Sequence, residues 1–218
     1  MSENNSQYDV IVIGAGVAGL YQLFKLRQLK LKALVIEAGD NVGGTWYWNR
    51  YPGARFDSES WSYGYSFSKE LFEEWDWPEH FAAQPDTLRY LNYVADKFDF
   101  RRDIKFDRRV EACVFDQQNN LWTVRTNTKE KYVARFLITA LGPLSAFTLP
   151  NIEGREKFKG PAYHTARWPH EEVDFSGKRV GIIGTGACAI QTIQTIAKDV
   201  AHLTVFQRSP NWAAPLNN

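Results

Sequence analysis

The chain has 218 residues, 44% of them hydrophobic and 23% charged, with a formal net charge of +1. That composition is that of an ordinary globular protein, long enough for one large domain or two small ones. The near-neutral balance speaks against attachment to nucleic acid or a membrane surface by bulk charge, and no apolar run approaches membrane-spanning length.

Residues 1–7 are polar and carry no Lys or Arg, unlike a secretory signal. Cys113 and Cys188 lie far apart with no metal or redox spacing, so a reduced, cytoplasmic protein is expected. The unusual feature is eight Trp, ten Tyr and fourteen Phe, which suit flat ligands as well as cores.

The first element is a short β-branched run at residues 8–13, YDVIVI, the pattern of a buried parallel strand. It opens directly into Gly14-Ala15-Gly16-Val17-Ala18-Gly19, a G-x-G-x-x-G turn. A helix with an apolar face through Leu20, Leu23, Phe24 and residues 26–29 follows, and then a strand at 33–36 ending at Glu37. Gly14 permits the tight turn, Gly16 lets a pyrophosphate approach the backbone, and Gly19 lets helix and strand pack closely. The helix N-terminus offers N–H groups to phosphates, and Glu37 can accept from ribose hydroxyls.

Residues 42–57, VGGTWYWNRYPGARFD, read as a turn at Gly43-Gly44 and an aromatic flap. The flap is either a cover over the sheet or a wall beside a flat ligand, with Thr45 near the phosphates. Residues 67–85 read as a short helix and loop, and a helix with an apolar stripe begins at Pro85. Between 109 and 139 four short strands are expected, at 110–115, 122–126, 132–134 and 136–139. They form an antiparallel insert that returns to the parallel sheet. His164 and His170 do not fit a metal site, and Ser145 and Ser209 lack a nucleophile's setting.

A second unit begins with the strand 178–183 and the turn Gly184-Thr185-Gly186-Ala187-Cys188-Ala189, the G-x-G-x-x-A form. A helix is expected from Ile190 and a strand at 203–206. Glu37 lies 23 residues after Gly14, and Arg208 lies 24 after Gly184. At equivalent places one unit carries an acid and the other a base. An acid there suits the adenosine half of FAD or NAD, whereas Arg208 would bind the 2′-phosphate of NADP. Composition and spacing thus reach a flavoprotein oxidoreductase that uses NADPH. The expected fold is α/β: two Rossmann-like dinucleotide-binding units, FAD then NADP, with an antiparallel β insert. The expected boundaries are an FAD-binding part at 1–144, a linker at 145–176, and the first βαβ unit of a truncated NADP domain at 177–218.

Between the two turns, Phe158-x-Gly160-x-x-x-His164-x-x-x-Trp168-Pro169 matches the fingerprint of the Baeyer–Villiger monooxygenases, F-x-G-x-x-x-H-x-x-x-W-P. The runs GGTWYWNRYPGARFDSES and VFQRSPNW also resemble that family, in its phenylacetone and cyclohexanone monooxygenase branch, over nearly the whole chain. The resemblance implies that NADPH reduces bound FAD, that O2 adds to the reduced flavin, and that a ketone becomes an ester or lactone. It implies FAD contacts from Gly14, Gly16, Ala18, Gly19, Glu37, Thr45, Trp46, Tyr47, Trp48, Asp57, Tyr63 and the Val110 backbone. Arg55, Phe56 and Asp57 would approach the nicotinamide. Thr185, Gly186, Ala187, Cys188, Ala189, Ile190, Gln191, Arg208 and Ser209 would bind NADP(H). Ala187 and Cys188 stand where small hydroxyl residues are common, so phosphate contacts there would come from backbone N–H groups.

The resemblance implies that Asp57 and His164 are the residues closest to the chemistry. Asp57 would pair with the family's catalytic arginine, and His164 would act in a hinge rather than as acid or base. Phe158, Tyr163 and Trp168 would anchor that hinge. Family members are more than twice as long, and their arginine lies beyond Asn218. The resemblance therefore implies that this polypeptide alone does not oxygenate ketones. An N- or S-oxidising flavin monooxygenase and a noncatalytic nucleotide-binding remnant are the alternatives; Trp168-Pro169 disfavours the first and intact cofactor motifs the second.

Overall fold

A computed structural model describes residues 7–215 and Asn218. In chain order its elements are β1 (Gln7–Ile13), α1 (Val17–Gln28), β2 (Ala33–Ile36), α2 (Thr45–Trp48), α3 (Ser60–Tyr63), α4 (Lys69–Glu74) and α5 (Gln84–Lys97). They continue through β3 (Ile104–Lys105), β4 (Val110–Asp116), β5 (Leu121–Thr126), β6 (Lys131–Thr139), β7 (Arg179–Ile183), α6 (Ala187–Ile196) and β8 (His202–Phe206). The chain divides into two compact units: Met1–Tyr47 with Leu88–Ser145, and Trp48–Thr87 with Ala146–Asn218.

The first unit is built on a six-stranded sheet in the order β3-β2-β1-β6-β5-β4. Strand β1 runs parallel to β2 on one side and to β6 on the other, with Val12 opposite both Val35 and Ile138. Central position explains its composition, since Val10, Ile11 and Val12 are buried and both faces demand apolar side chains. Helix α1 buries Leu20, Leu23 and Leu26. Leu29, expected on the same face, lies past the last turn and is 68% exposed.

Two expected strands at 132–134 and 136–139 are one continuous strand, β6. Arg135 does not interrupt it, because Ala134 pairs with Tyr8 and Phe136 with Val10 without a shift of register. The first half of β6 also pairs antiparallel with β5, so this single strand joins the insert to the parallel sheet. The two-residue β3 was too short to read from sequence. Helix α5 starts at Gln84, which places Pro85 at the first turn, where its missing N–H costs nothing.

The second unit contains a parallel pair, β7 and β8, in register from Arg179 and His202 to Ile183 and Phe206, with α6 between them in sequence. Helix α6 begins at Ala187, three residues before the expected Ile190. The turn residues Ala187, Cys188 and Ala189 are therefore its first turn rather than its approach. Among the described residues, no helix is long and apolar enough to cross a membrane.

Candidate functional site

In the first unit the glycine turn leaves β1 with Gly14 at φ +101°, held by its N–H donating to the Ile36 carbonyl at 2.8 Å. A Cβ on Gly19 would fall 1.9 Å from the Gly14 carbonyl oxygen, so α1 begins directly against the turn. Gly16 and Gly44 meet backbone to backbone: a Cβ on Gly16 would lie 3.2 Å from Gly44 Cα. The Gly43 N–H fastens that second glycine pair by donating to the Ala15 carbonyl at 3.0 Å. No side chain caps α1 at Gly16 and no acid lies in its first turn, so the helix end keeps its positive polarisation. Ala18 is exposed in that first turn.

Glu37 follows β2 and is 4% exposed. Its carboxylate accepts from the Ala15 N–H at 2.7 Å and the Gly39 N–H at 2.8 Å. Its backbone donates to the Lys105 carbonyl and accepts from the Arg108 N–H. The acid thus braces the turn from below, a role its spacing did not announce. A carboxylate has about four lone-pair positions, so two remain for a ligand's hydroxyl groups.

In α2, Trp46 and Tyr47 are buried at 7% exposure each, and the Tyr47 ring covers Gly39. Their backbone N–H groups donate to the carbonyls of Gly43 and Gly44, each at 3.0 Å. Val110 opens β4 opposite Thr126.

In the second unit, Gly184 repeats the first turn: φ +105°, with its N–H donating to the Phe206 carbonyl at 2.9 Å. Helix α6 is uncapped by any side chain at Gly186 and has no acid in its first turn, matching α1. The Thr185 hydroxyl accepts from Gln207 Nε2 at 3.1 Å and its carbonyl from Asn211 Nδ2 at 3.0 Å. Arg208 and Ser209 are exposed after β8, in contrast to the buried Glu37.

The segment 51–57 belongs to this second unit. Arg55 Nη1 donates to Glu79 Oε2 at 2.9 Å and to the Phe81 carbonyl at 3.1 Å. Phe56 stacks on Tyr63 with ring centroids 4.4 Å apart and planes 6° from parallel, and Trp77 meets it edge-on. Asp57 is exposed and accepts from Gln191 Nε2 at 3.2 Å. Tyr51, which sequence reasoning passed over, is buried beside it. Burial pushes the Tyr51 phenol well above its ordinary value, with the neighbouring Cys188 side chain and the Asp57 carboxylate adding to the shift.

Within 158–169, His164 Nδ1 accepts from the Ala166 N–H at 3.1 Å, so the neutral ring carries its proton on Nε2. Phe147 lies against that ring at 5.0 Å. Arg167 lies over Trp48 at 5.4 Å and Phe147 at 4.7 Å, a pair of cation–π contacts that the motif spacing did not indicate. Trp168 packs between Tyr163 and Phe175. Phe158 is 65% exposed, with its ring resting on the space a Gly160 Cβ would fill. Among the described residues, no cluster of three or more His, Cys, Asp or Glu could hold a metal ion.

A family model described as pyridine nucleotide-disulphide oxidoreductase matches residues 11–217. The chain is 50% identical over 210 residues to the acetone monooxygenase (methyl acetate-forming) of Gordonia sp. strain TY-5, covering 96% of this chain and 39% of that protein. It is 45% identical over 216 residues to phenazine N-monooxygenase PhzNO1 of Lysobacter antibioticus, covering 99% of this chain and 40% of that one. A solved structure of OTEMO in complex with FAD and NADP superposes with a TM-score of 0.91 at 51% identity, covering 96% of this chain and 40% of that one. The chain therefore spans about 40% of the length of the relatives it matches.

Proposed function

The chain belongs to the pyridine nucleotide-disulphide oxidoreductase family, its close homologues include Baeyer–Villiger monooxygenases, and we propose that it forms the FAD- and NADPH-binding part of such an enzyme. The whole enzyme would insert one atom of O2 beside a ketone carbonyl, giving an ester or lactone. What supports this reading is the pair of matched glycine turns whose helices carry no side-chain cap, with an acid, Glu37, following the second strand of the first unit and a base, Arg208, following the second strand of the other. FAD and NADPH would supply the redox chemistry, and the residues of this chain bind and orient.

The FAD-binding part is assigned to 1–144, the joining segment to 145–176 and the NADP-binding part to 177–218. Backbone N–H groups at the Gly14–Gly19 turn would take the FAD pyrophosphate, and the spare lone pairs of Glu37 the ribose. Thr45, Trp46, Tyr47, Trp48, Tyr63 and Val110 would border the rest of FAD. The first turn of α6 would take the NADP pyrophosphate through its backbone, with Arg208 and Ser209 on the 2′-phosphate. Arg55, Phe56 and Asp57 would lie at the nicotinamide end. His164, with Nδ1 engaged by its own chain, would shape the joining segment rather than transfer protons.

Among the described residues Asp57 has a hydrogen bond from Gln191 but no ion pair. A carboxylate without a cation lacks the electrostatic role assigned to it. The 218-residue chain with added FAD is therefore expected to show no ketone-stimulated NADPH consumption. Ketone-dependent turnover by the purified chain would refute that part.

The dinucleotide assignment is tested by binding. The chain should prefer NADP+ to NAD+, and Arg208→Gln should weaken NADP+ binding roughly ten- to hundredfold, the worth of a charge-assisted pair, while NAD+ changes by less than about threefold. Equal affinity of the unaltered chain for both would sink the assignment. A second reading, oxygenation at nitrogen, is favoured by the 45% identity to a phenazine N-monooxygenase. A panel of ketones and aromatic amines, assayed in the oxygenating enzyme, separates the two.

A further inference from the structure

Four hydrogen bonds converge on one side-chain amide. Gln191, in α6, accepts through Oε1 from the Tyr51 hydroxyl at 2.9 Å and from the Arg55 backbone N–H at 3.3 Å. Its Nε2 donates to the Arg55 carbonyl at 3.0 Å and to Asp57 Oδ1 at 3.2 Å. An amide side chain has two acceptor positions and two N–H donors, and here all four are engaged. Gln191 treats Arg55 as a neighbouring strand would, pairing with both of its backbone groups. The two partners lie 136 residues apart, so the clamp is a tertiary feature.

The surroundings reinforce it. At Gly53, φ is +78°, and a Cβ there would come within 2.2 Å of Thr195 Oγ1 and 2.6 Å of the Gln191 carbonyl oxygen. The segment thus lies flush on α6, where only glycine fits. Tyr51 is 7% exposed, and its neutral phenol remains a donor to the amide.

We propose that Gln191 is the positioning residue for Asp57: its amide fixes the 51–57 segment on α6 and sets where the carboxylate stands. This deepens the reading above, in which α6 carries NADP and Asp57 lies at the nicotinamide end. The helix that opens on the dinucleotide turn also holds the acid, so their separation is set by one side chain. Any NADP contact through the Gln191 amide would require one of its four bonds to be released.

The test is amide hydrogen exchange, read residue by residue by NMR in the full 218-residue chain without nucleotide. Gln191→Leu removes the whole clamp, and Gln191→Glu keeps the acceptor half while replacing the donors with a charge that repels Asp57. In Gln191→Leu the Arg55 N–H should exchange roughly tenfold faster or more, while amides of β7 stay unchanged. In Gln191→Glu the Arg55 N–H should stay within about threefold of the parent, and the Asp57 side-chain resonance should move. That split distinguishes an amide clamp from a merely space-filling side chain, for which leucine would be the milder change. Parent-like Arg55 exchange in Gln191→Leu overturns the proposal. If the leucine variant fails to fold, fast Arg55 exchange in a folded Gln191→Glu overturns it and retained protection supports it. Because no nucleotide is present, the outcome stands apart from the NADP+ and NAD+ comparison, whose failure would remove only the functional reading.

Discussion

Glu37 has a structural role beside the one expected of it. The sequence marks it as a ribose acceptor by its place after β2. The structure adds that its buried carboxylate satisfies two backbone donors of the turn itself, from Ala15 and Gly39. Removing it orphans both N–H groups, and hydrogen bonds to a charged acceptor are worth about 1.5–3 kcal/mol each. Glu37→Ala is therefore expected to cost about 3–6 kcal/mol in denaturant unfolding, even without FAD. Glu37→Gln keeps only one acceptor oxygen and should fall between. An unfolding midpoint unchanged in Glu37→Ala would show that the bracing is negligible. Gly14 and Gly19 were legible because a tight turn admits few residue types. The contact of Tyr51 with Gln191 was not, because a hydrogen bond spanning 140 residues leaves no local pattern.

At the level of elements, the insert β4–β6 carries its own pH dependence. The Thr128 hydroxyl, and then Arg108, hold the Glu130 carboxyl below its usual range. Burial first, then the Glu130 charge, pushes the Tyr132 phenol up to about 12. The depressed acid contributes stability above the unfolded carboxyl value of about 4.3, lost as pH falls through the folded value. The raised phenol contributes stability below the unfolded value of about 10, lost as pH rises through about 12. These two groups should thus make the melting temperature decline as pH falls below roughly 5 and as it rises above roughly 10. Tyr132→Phe should flatten the alkaline limb and Glu130→Gln the acid one; limbs unaltered in both variants would assign the dependence elsewhere. Strand patterns at β1, β2, β7 and β8 were readable because apolar β-branched runs mark buried strands. The continuity of β6 was not, since Arg135 looks like a break until its two neighbours are seen in register with β1.

For the whole molecule, each compact unit is assembled from two separate stretches of chain. Sequence order therefore suggests a simpler division than the one contacts produce: residues 48–87, which follow the first turn in sequence, pack with 146–218. The glycine turns and the joining motif were enough to indicate the family, because a tight turn against a helix end restricts the backbone to few residue types. A substrate was not legible, since no described residue of this chain is tied to one. The central claim is that the first turn takes FAD and the second NADP. Reconstitution of the chain with FAD, followed by gel filtration with absorbance at flavin and protein wavelengths, tests its first half most directly. Flavin absorbance is expected to elute with the protein at about one flavin per chain. Flavin eluting wholly at the small-molecule volume, from a chain that is folded by circular dichroism, would contradict it.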